Sequence, residues 1–560
     1  YLAGWAETPL FHSPFGDELH FHQAALALLG QAPADDAFMY QPLYPLFLAG
    51  VYWIFGVDLS IVRHVQLAIG LAGILFSYLL GRELAGRWVG RLSALAAACY
   101  GPLIFFEGHL LAPGIITPML VLALWLFVRA QKRKQCWPLL PAGMLVGACI
   151  MGRPNLMLLL PIAGIWWLLR APDGKRKLLG AVLALVGLGM GVSPAWAHNA
   201  RRGMPFTPVS TSGGHSFFIG NNPQANGRFH VPRDEKIDDS SHEAYWRSLR
   251  AVAEAERGRS LDAAGVSDYW YGRGLEFWSE HPGAGLRLLG RKSLMAVNSE
   301  EMAIHHPYAV GEALIPTLAY LLKFGVVFAF AILGIALRLR KRPAAGLLAL
   351  CSAGVFLSLL IFYVADRYRI SAIPMLIPLA ALGVTELVGL VRQGSVRRMG
   401  LGFVGLFLVF GLTQIPLVSE PAHRRAIAGS LNIMGKAEGD RGDLVKAQDY
   451  FLRALELTGE GRGSVIKGNL GLVAEKRGRL SEAEEWYRKA AEADPENRFA
   501  RYKLVRLCKG RDDLKQALVW LRQLEAIEAD GTRVRQAMED LQRRLSEKNK
   551  RIEAQPSRNP

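Results

Sequence analysis

The stretch VRHVQLAIGLAGILFSYLLGRELAGRWVGR, Val62 to Arg91, decides how the rest of the chain is read. Most of it is an apolar run of the length that a bilayer core demands of a helix, about 20 residues. It ends in Arg82, Arg87 and Arg91, the basic flank that marks a cytoplasmic loop. Outward from it, further candidate spans follow, so that the series runs 62–80, 88–106, 112–129, 137–151, 154–170 and 178–197, then 313–338, 344–364, 369–391 and 399–417. The chain reads as an all-α, polytopic membrane protein. Its composition agrees: 560 residues that are 51% hydrophobic and include 13 Trp exceed what an ordinary soluble domain carries. A formal net charge of +17 would suit nucleic acid. Basic residues also gather in cytoplasmic loops and against anionic headgroups, so no nucleic-acid partner is expected. Cys99, Cys149 and Cys351 lie in apolar runs, Cys136 flanks one and Cys508 sits in a helical pattern, which gives no disulfide framework.

Orientation follows from Lys and Arg in the short connections. Besides the first basic loop, alternate connections carry Arg129, Lys132, Arg133 and Lys134; Arg170, Lys175, Arg176 and Lys177; Arg338, Arg340, Lys341 and Arg342; and Arg392, Arg397 and Arg398. The intervening short loops hold Arg153, Arg367 and Arg369 alone. Residues 1–61, the long loop 198–312 and everything after 417 are therefore expected on the outer face. LYPLFLAGVYWIFG, Leu43 to Gly56, is too short to span and reads as an interfacial or re-entrant helix. The chain begins at Tyr1 without a signal sequence, and a preceding transmembrane helix is expected upstream.

This topology collects polar residues on one side. FGDELHFHQA, Phe15 to Ala24, supplies Asp17 and Glu18; IFFEGHLLAPG supplies Glu107 and His109; MGRPNL supplies Arg153 and Asn155; VADRYRI supplies Arg367 and Arg369. Carboxylates and arginines meeting at a membrane surface suit a phosphorylated lipid, with Arg gripping phosphate and an acid left to move a proton. Each residue also has a plainer explanation. Asp17 and Glu18 could simply begin a helix, Glu107 could be solvated, and the arginines could snorkel to headgroups. Asp17 and His20 share a helical face near His22, so a divalent metal held with Glu107 or His109 is a candidate, although the spacing matches no recognised metal motif. Lys323, inside ALIPTLAYLLKFGVVFAF, is an intramembrane charge and hence a functional suspect, with snorkelling as its simpler reading.

The ordered set of an outer Asp-Glu pair, Tyr-Gln-Pro-Leu-Tyr-Pro from Tyr40 to Pro45 leading into a helix that ends in Phe-Gly, a second outer acid at Glu107 and a closing Arg-Tyr-Arg resembles the GT-C membrane glycosyltransferases. Within them it looks like glycosyltransferase family 39, the group of the protein O-mannosyltransferases and lipid A aminoarabinose transferases, over residues 1 to about 417. The resemblance implies transfer of a sugar from a polyprenyl-phosphate carrier to a protein, lipid or glycan acceptor at the outer, periplasmic side of a bacterial inner membrane. Asp17 would be the general base, with Glu18 and Glu107 as catalytic candidates. Arg153, Asn155, His109, Lys323, Arg367 and Arg369 would meet the substrate. Some relatives place a metal near the acids and others do without. The rival reading, a non-enzymatic scaffold or transporter of envelope assembly, keeps the spans without needing Asp17.

In the long loop, residues 196–229 are dense in Gly, Asn, Ser and aromatics, a composition for irregular turns that bond or stack against a sugar, and Gly213-Gly214 is no phosphate loop. From about 241 to 295 the pattern turns helical, and Tyr245, Trp246, Tyr269, Trp270, Phe277 and Trp278 are expected along the membrane interface, as a lid. After 417 a helical pattern repeats. Gly442, Ala447, Phe451 and Ala454 align with Gly478, Ala483, Tyr487 and Ala490, and again with Asp512, Ala517, Leu521 and Leu524. These units, over 430–530, resemble tetratricopeptide repeats, which implies a concave face for a peptide or partner protein. The tail from 531 is charged, first helical and then disordered at QPSRNP.

Overall fold

The computed structural model describes residues 2–32, 38, 40–204, 209–232, 237, 242–304, 307–339, 341–459, 461–527 and 532–553. Arg340, part of the loop 196–229 and the tail 555–560, all named above, lie outside the described residues. Secondary structure among the described residues is helical, and two compact units separate at Leu417 and Val418, the short segment Thr8–Ser13 grouping with the second.

In the first unit six helices are long and apolar enough to cross a membrane: Leu59–Ala85, Pro113–Arg133, Gly174–Arg201, Pro343–Ile361, Asp366–Arg392 and Val396–Thr413. Leu43–Phe55, Leu139–Gly152, Pro154–Arg170 and Phe324–Arg338 are shorter apolar helices. Two expected spans are corrected. The run 88–106 breaks into Arg87–Ala98 and Gly101–Gly108, and the run 313–338 becomes Tyr308–Leu314, a 3-10 turn Pro316–Tyr320 and Phe324–Arg338. Pro102 and Pro316 open the second piece of each, where a missing N–H costs nothing. The two breaks meet: Leu322 N donates to Cys99 O at 2.8 Å and Gly101 N donates to Leu322 O at 3.1 Å, so each satisfies backbone groups the other has lost. An apolar composition on both sides of such a break conceals it from the sequence.

Lys323 moves with this correction. It is the residue before helix Phe324–Arg338, half-exposed, and its ammonium pairs with Glu312 at 2.8 Å, so it is no isolated charge within a span. Small residues elsewhere set helix spacing. A Cβ on Gly147 would run into the backbone of Leu188 and Gly191, and glycine there lets Leu139–Gly152 and Gly174–Arg201 touch backbone to backbone.

The loop helices Gly213–Gly220, His242–Arg257 and Ala263–Glu280 build a small core of their own, in which Phe218, Tyr245, Leu249, Tyr269 and Trp270 pack together, and helix Pro282–Val297 follows them. The expectation of an interfacial aromatic row is thereby corrected. Tyr245, Tyr269, Trp270 and Phe277 are buried, the first three because their helical faces meet Phe218 and its neighbours. Trp246 and Trp278 spend their indole N–H groups on Tyr40 Oη (2.8 Å) and Asn221 Oδ1 (3.0 Å).

The second unit is a stack of helix pairs: Glu420–Arg441 with Leu444–Thr458, Ser464–Lys476 with Leu480–Ala493, and Arg498–Gly510 with Leu514–Glu525, followed by Thr532–Glu553. The repeat positions behave as packing positions. Ala447, Ala483 and Ala517 are fully buried, as are Phe451, Tyr487 and Leu521 within 2%. The rings of Phe451 and Tyr487 lie so close over Gly435 and Gly471 that a Cβ would collide at 2.6 Å. One repeat on, Val505 and Leu521 hold the equivalent places, a larger residue opposite a smaller one, which conserves volume.

Candidate functional site

Helix Asp17–Leu28 begins at the acid pair, which satisfies the plain preference for acids in a first turn and also aims them inward. Successive helical residues diverge by about 100°, so the two carboxylates part company. Glu18, 1% exposed, accepts from Leu110 N (3.2 Å) and from His109 Nδ1 (2.8 Å). Burial and the charge of Arg63 push His109 down to about 3, so it is neutral and its Nδ1 carries the proton given to Glu18. Trp5 and Phe105 pack on its ring at 4.7 and 4.5 Å. Glu18 and His109 therefore fasten the first segment to the turn 107–110.

That turn is clamped from the other side by residues that sequence reasoning missed. Arg63, fully buried, donates from Nε to Gly108 O at 2.8 Å, and Gln66 Nε2 donates to the carbonyls of Glu107 (3.0 Å) and His109 (2.9 Å). Tyr44 donates to Gln66 Oε1 in turn. The signal was present in the helix Leu59–Ala85, whose buried face reads Val62, Arg63, Gln66, Gly70, Gly73, Ser77, a polar-to-small stripe at helical spacing.

Asp17 turns the opposite way and pairs with Arg367. Arg367 lies over the ring of Tyr368, its guanidinium carbon 5.4 Å from the ring centroid, and Arg153 lies over the same ring at 4.6 Å. Tyr368 bonds Tyr363 hydroxyl to hydroxyl at 3.0 Å. Arg153 ends helix Leu139–Gly152 just before Pro154 and is 5% exposed, and its side chain makes neither an ion pair nor a hydrogen bond among the described residues; its Nε is buried without a partner. Burial brings it down to about 10, and it stays charged at neutral pH. A cavity of about 260 Å³ opens there, lined among others by Gln41, Arg153, Asn155, Ser216, Tyr271 and Tyr368. Asn155 Nδ2 donates to Ser358 Oγ at 2.7 Å on its wall. Next along the same helices, Pro154–Arg170 and Pro343–Ile361, a second cavity of about 250 Å³ is lined by apolar side chains such as Leu159, Leu160, Leu347 and Cys351.

The remaining candidates lie elsewhere. Arg369 is saturated: it pairs with Glu301 at 2.8 Å, donates to the carbonyls of Asn298 and Glu300, and covers Phe324 at 3.9 Å. Glu107 projects over Gly70, into a pocket of about 50 Å³ that also holds Thr117 and Pro118, and burial lifts its carboxyl to about 7. His20 packs against Tyr40 at 4.8 Å, and His22 Nδ1 meets Tyr52 Oη at 2.8 Å. Among the described residues no group of three His, Cys, Asp or Glu is gathered to hold a metal ion, so Asp17, His20 and Glu107 do not form one.

A helical membrane protein with buried arginines beside one carboxylate is the class that fold and site define. Comparison with known proteins adds a likeness. Residues 38–197 match the family model described as dolichyl-phosphate-mannose-protein mannosyltransferase, a segment shorter than half of the chain, and residues 466–497 match the tetratricopeptide repeat. The resemblance to a GT-C glycosyltransferase followed by such repeats is borne out by these matches. ArnT from Cupriavidus metallidurans in the apo state is similar at 15% identity over 90% of this chain and 75% of that one, with a TM-score of 0.37. The same protein bound to undecaprenyl phosphate gives 14%, 89%, 74% and 0.36. None of the curated proteins matches.

Proposed function

We propose that this protein is a glycosyltransferase that moves a sugar from a polyprenyl-phosphate-linked donor to an acceptor on the outer face of the membrane, with Asp17 as general base. One observation carries the reading: Arg153 is a buried cation whose side chain makes no direct ion pair or hydrogen bond among the described residues, and it faces a cavity with polar side chains on its wall that neighbours an apolar one. A buried charge without a direct partner is costly, and a lipid phosphate would relieve that cost while its isoprenoid chain filled the apolar side. The match to a lipid-phosphate-mannose family over 38–197 supports the same donor class.

The Asp17–Arg367 pair then has a chemical sense. An incoming phosphate competes for the guanidinium of Arg367 and loosens the carboxylate beside it. Asp17 takes the proton of the acceptor nucleophile as that atom bonds to the anomeric carbon, the bond from that carbon to the phosphate oxygen breaks, and the electron pair leaves with the phosphate. Arg153 and Arg367 stabilise the charge gathered there. Arg153→Ala should weaken binding of a polyprenyl phosphate by about 10- to 100-fold, the scale of lost charge-assisted hydrogen bonds. Native mass spectrometry of the full-length protein in nanodiscs reads this directly. Equal binding by the variant would remove the phosphate from Arg153.

A further inference from the structure

Arg367 and Tyr368 stand in the first turn of helix Asp366–Arg392, which the short link 362–365 joins to helix Pro343–Ile361, and the strap that spans this junction, residues 360–369, is held at several points by the long loop before it. Val364 N donates to Gly227 O (2.9 Å), Asp366 N donates to Met302 O (3.0 Å), and Arg369 closes the strap on the carbonyls of Asn298 and Glu300. At the near end the helix leaves its last carbonyls without intrahelical partners. Two side chains collect them. Lys292 Nζ donates to Leu360 O at 3.1 Å and to Asn221 Oδ1 at 3.2 Å, while Asn221 Nδ2 donates to Ile361 O at 2.8 Å and to Phe217 O at 2.8 Å. Trp278 Nε1 donates to the same Asn221 Oδ1.

Lys292 is an unusual choice for a mere cap. It is fully buried, it comes from helix Pro282–Val297, and among the described residues it has no carboxylate partner. Helix Pro343–Ile361 offers Cys351 as its titratable group; Ala263–Glu280 carries Asp268, Tyr269, Tyr271, Arg273, Glu276 and Glu280; Val396–Thr413 carries Arg397 and Arg398; Arg228 lies beside Gly227, which touches the Lys292 stem. None of these bonds Lys292. What it meets is the negative end of a helix dipole and a side-chain amide, an arrangement that favours a cation at a helix C-terminus.

We propose that Lys292, acting through Asn221 and the carbonyl of Leu360, is a positioning residue that sets where the strap presents Arg367 and Tyr368 to the substrate. The inference rests on the transferase reading given above. A reacting group displaced by about 1 Å costs on the order of 100-fold in rate, so loosening one end of a ten-residue strap registers in turnover before it registers in folding. Burial also brings the Lys292 ammonium down to about 7, so its grip carries a pH dependence that an arginine, charged throughout, does not share.

The test uses the full-length protein in nanodiscs, a polyprenyl-phosphate sugar as donor, and the variants Lys292→Met and Lys292→Arg. Lys292→Met should lower kcat by about 10- to 100-fold, with hydrogen exchange faster at 360–369 and unchanged in the second unit. Lys292→Arg should restore most of the rate and flatten the fall that the wild type shows as pH rises through about 7. Wild-type kcat and wild-type exchange in Lys292→Met would overturn the proposal. Faster exchange at 360–369 with no turnover in any variant, wild type included, would leave Lys292 as the anchor of the strap and instead reject the transferase reading on which its catalytic meaning rests.

Discussion

Asp17 and Arg367 are separated by 350 positions and yet form one ion pair. Arg153 completes the group through the ring of Tyr368 without touching a carboxylate. That contrast assigns different tasks. A paired arginine can be exchanged between partners, whereas an unpaired buried one must already expect an anion. Arg153→Lys keeps the charge but loses the planar fork and the stacking, so the donor KM should rise about 10-fold while kcat changes little, a split that steady-state kinetics resolves. Glu107 illustrates the opposite case, an acid the structure withdraws from this group. Its carboxyl is raised to about 7 by burial, so the folded state holds a proton that the unfolded chain has released by then. The sign follows from linkage: this contribution is fully present below about 4.5, shrinks as pH climbs, and is gone above about 7. Glu107→Gln should therefore flatten the loss of thermal stability between those limits, and a variant with the wild-type slope would place that titration elsewhere. The sequence nominated these acids and arginines because an expected topology gathered them on one side, but the structure brings only Asp17, Arg153 and Arg367 together and sends Glu18, Glu107 and Arg369 to other partners. Which of them touch was not legible, since Asp17 and Glu18 are neighbours in sequence and face different elements.

Helices carry the next level of the account. Long spans such as Gly174–Arg201 are legible because their composition is uniform and their basic flanks stand out. Broken ones are not, because Cys99–Gly101 and Leu322 exchange backbone bonds across more than 200 positions and only the fold reveals the exchange. Arg63 and Gln66 escaped notice for a related reason: polar residues on an apolar helix look like its solvated end until the turn 107–110 is laid against them. In the second unit the reverse holds, and a spacing of small and aromatic residues already names the core. Tyr487→Ala should cost about 3–5 kcal/mol there, since it empties the space over Gly471 and removes the hydroxyl bond to Glu475 at 2.8 Å. Denaturant unfolding followed by limited proteolysis within 420–553 measures it, and a shift below 1 kcal/mol would mean that the ring is not the centre of the repeat packing.

On the scale of the whole molecule a membrane unit and a helical-repeat unit share one chain, which asks whether the repeats serve the chemistry or deliver something to it. If they recruit a protein acceptor, removing 430–560 should leave donor cleavage with a small soluble acceptor within about twofold while transfer to a protein acceptor falls more than tenfold, on the principle that tethering raises effective concentration. Equal losses for both acceptors would assign the repeats to another role. Beneath that question lies the claim on which the rest depends, that a carboxylate at position 17 accepts the proton during sugar transfer. Single-turnover transfer of a labelled sugar from a polyprenyl-phosphate donor, compared between wild type and Asp17→Asn at matched folded fractions, tests it most directly. The account predicts that the variant binds the donor and loses at least about 100-fold in the transfer step, the scale of a missing general base; transfer at the wild-type rate would contradict it.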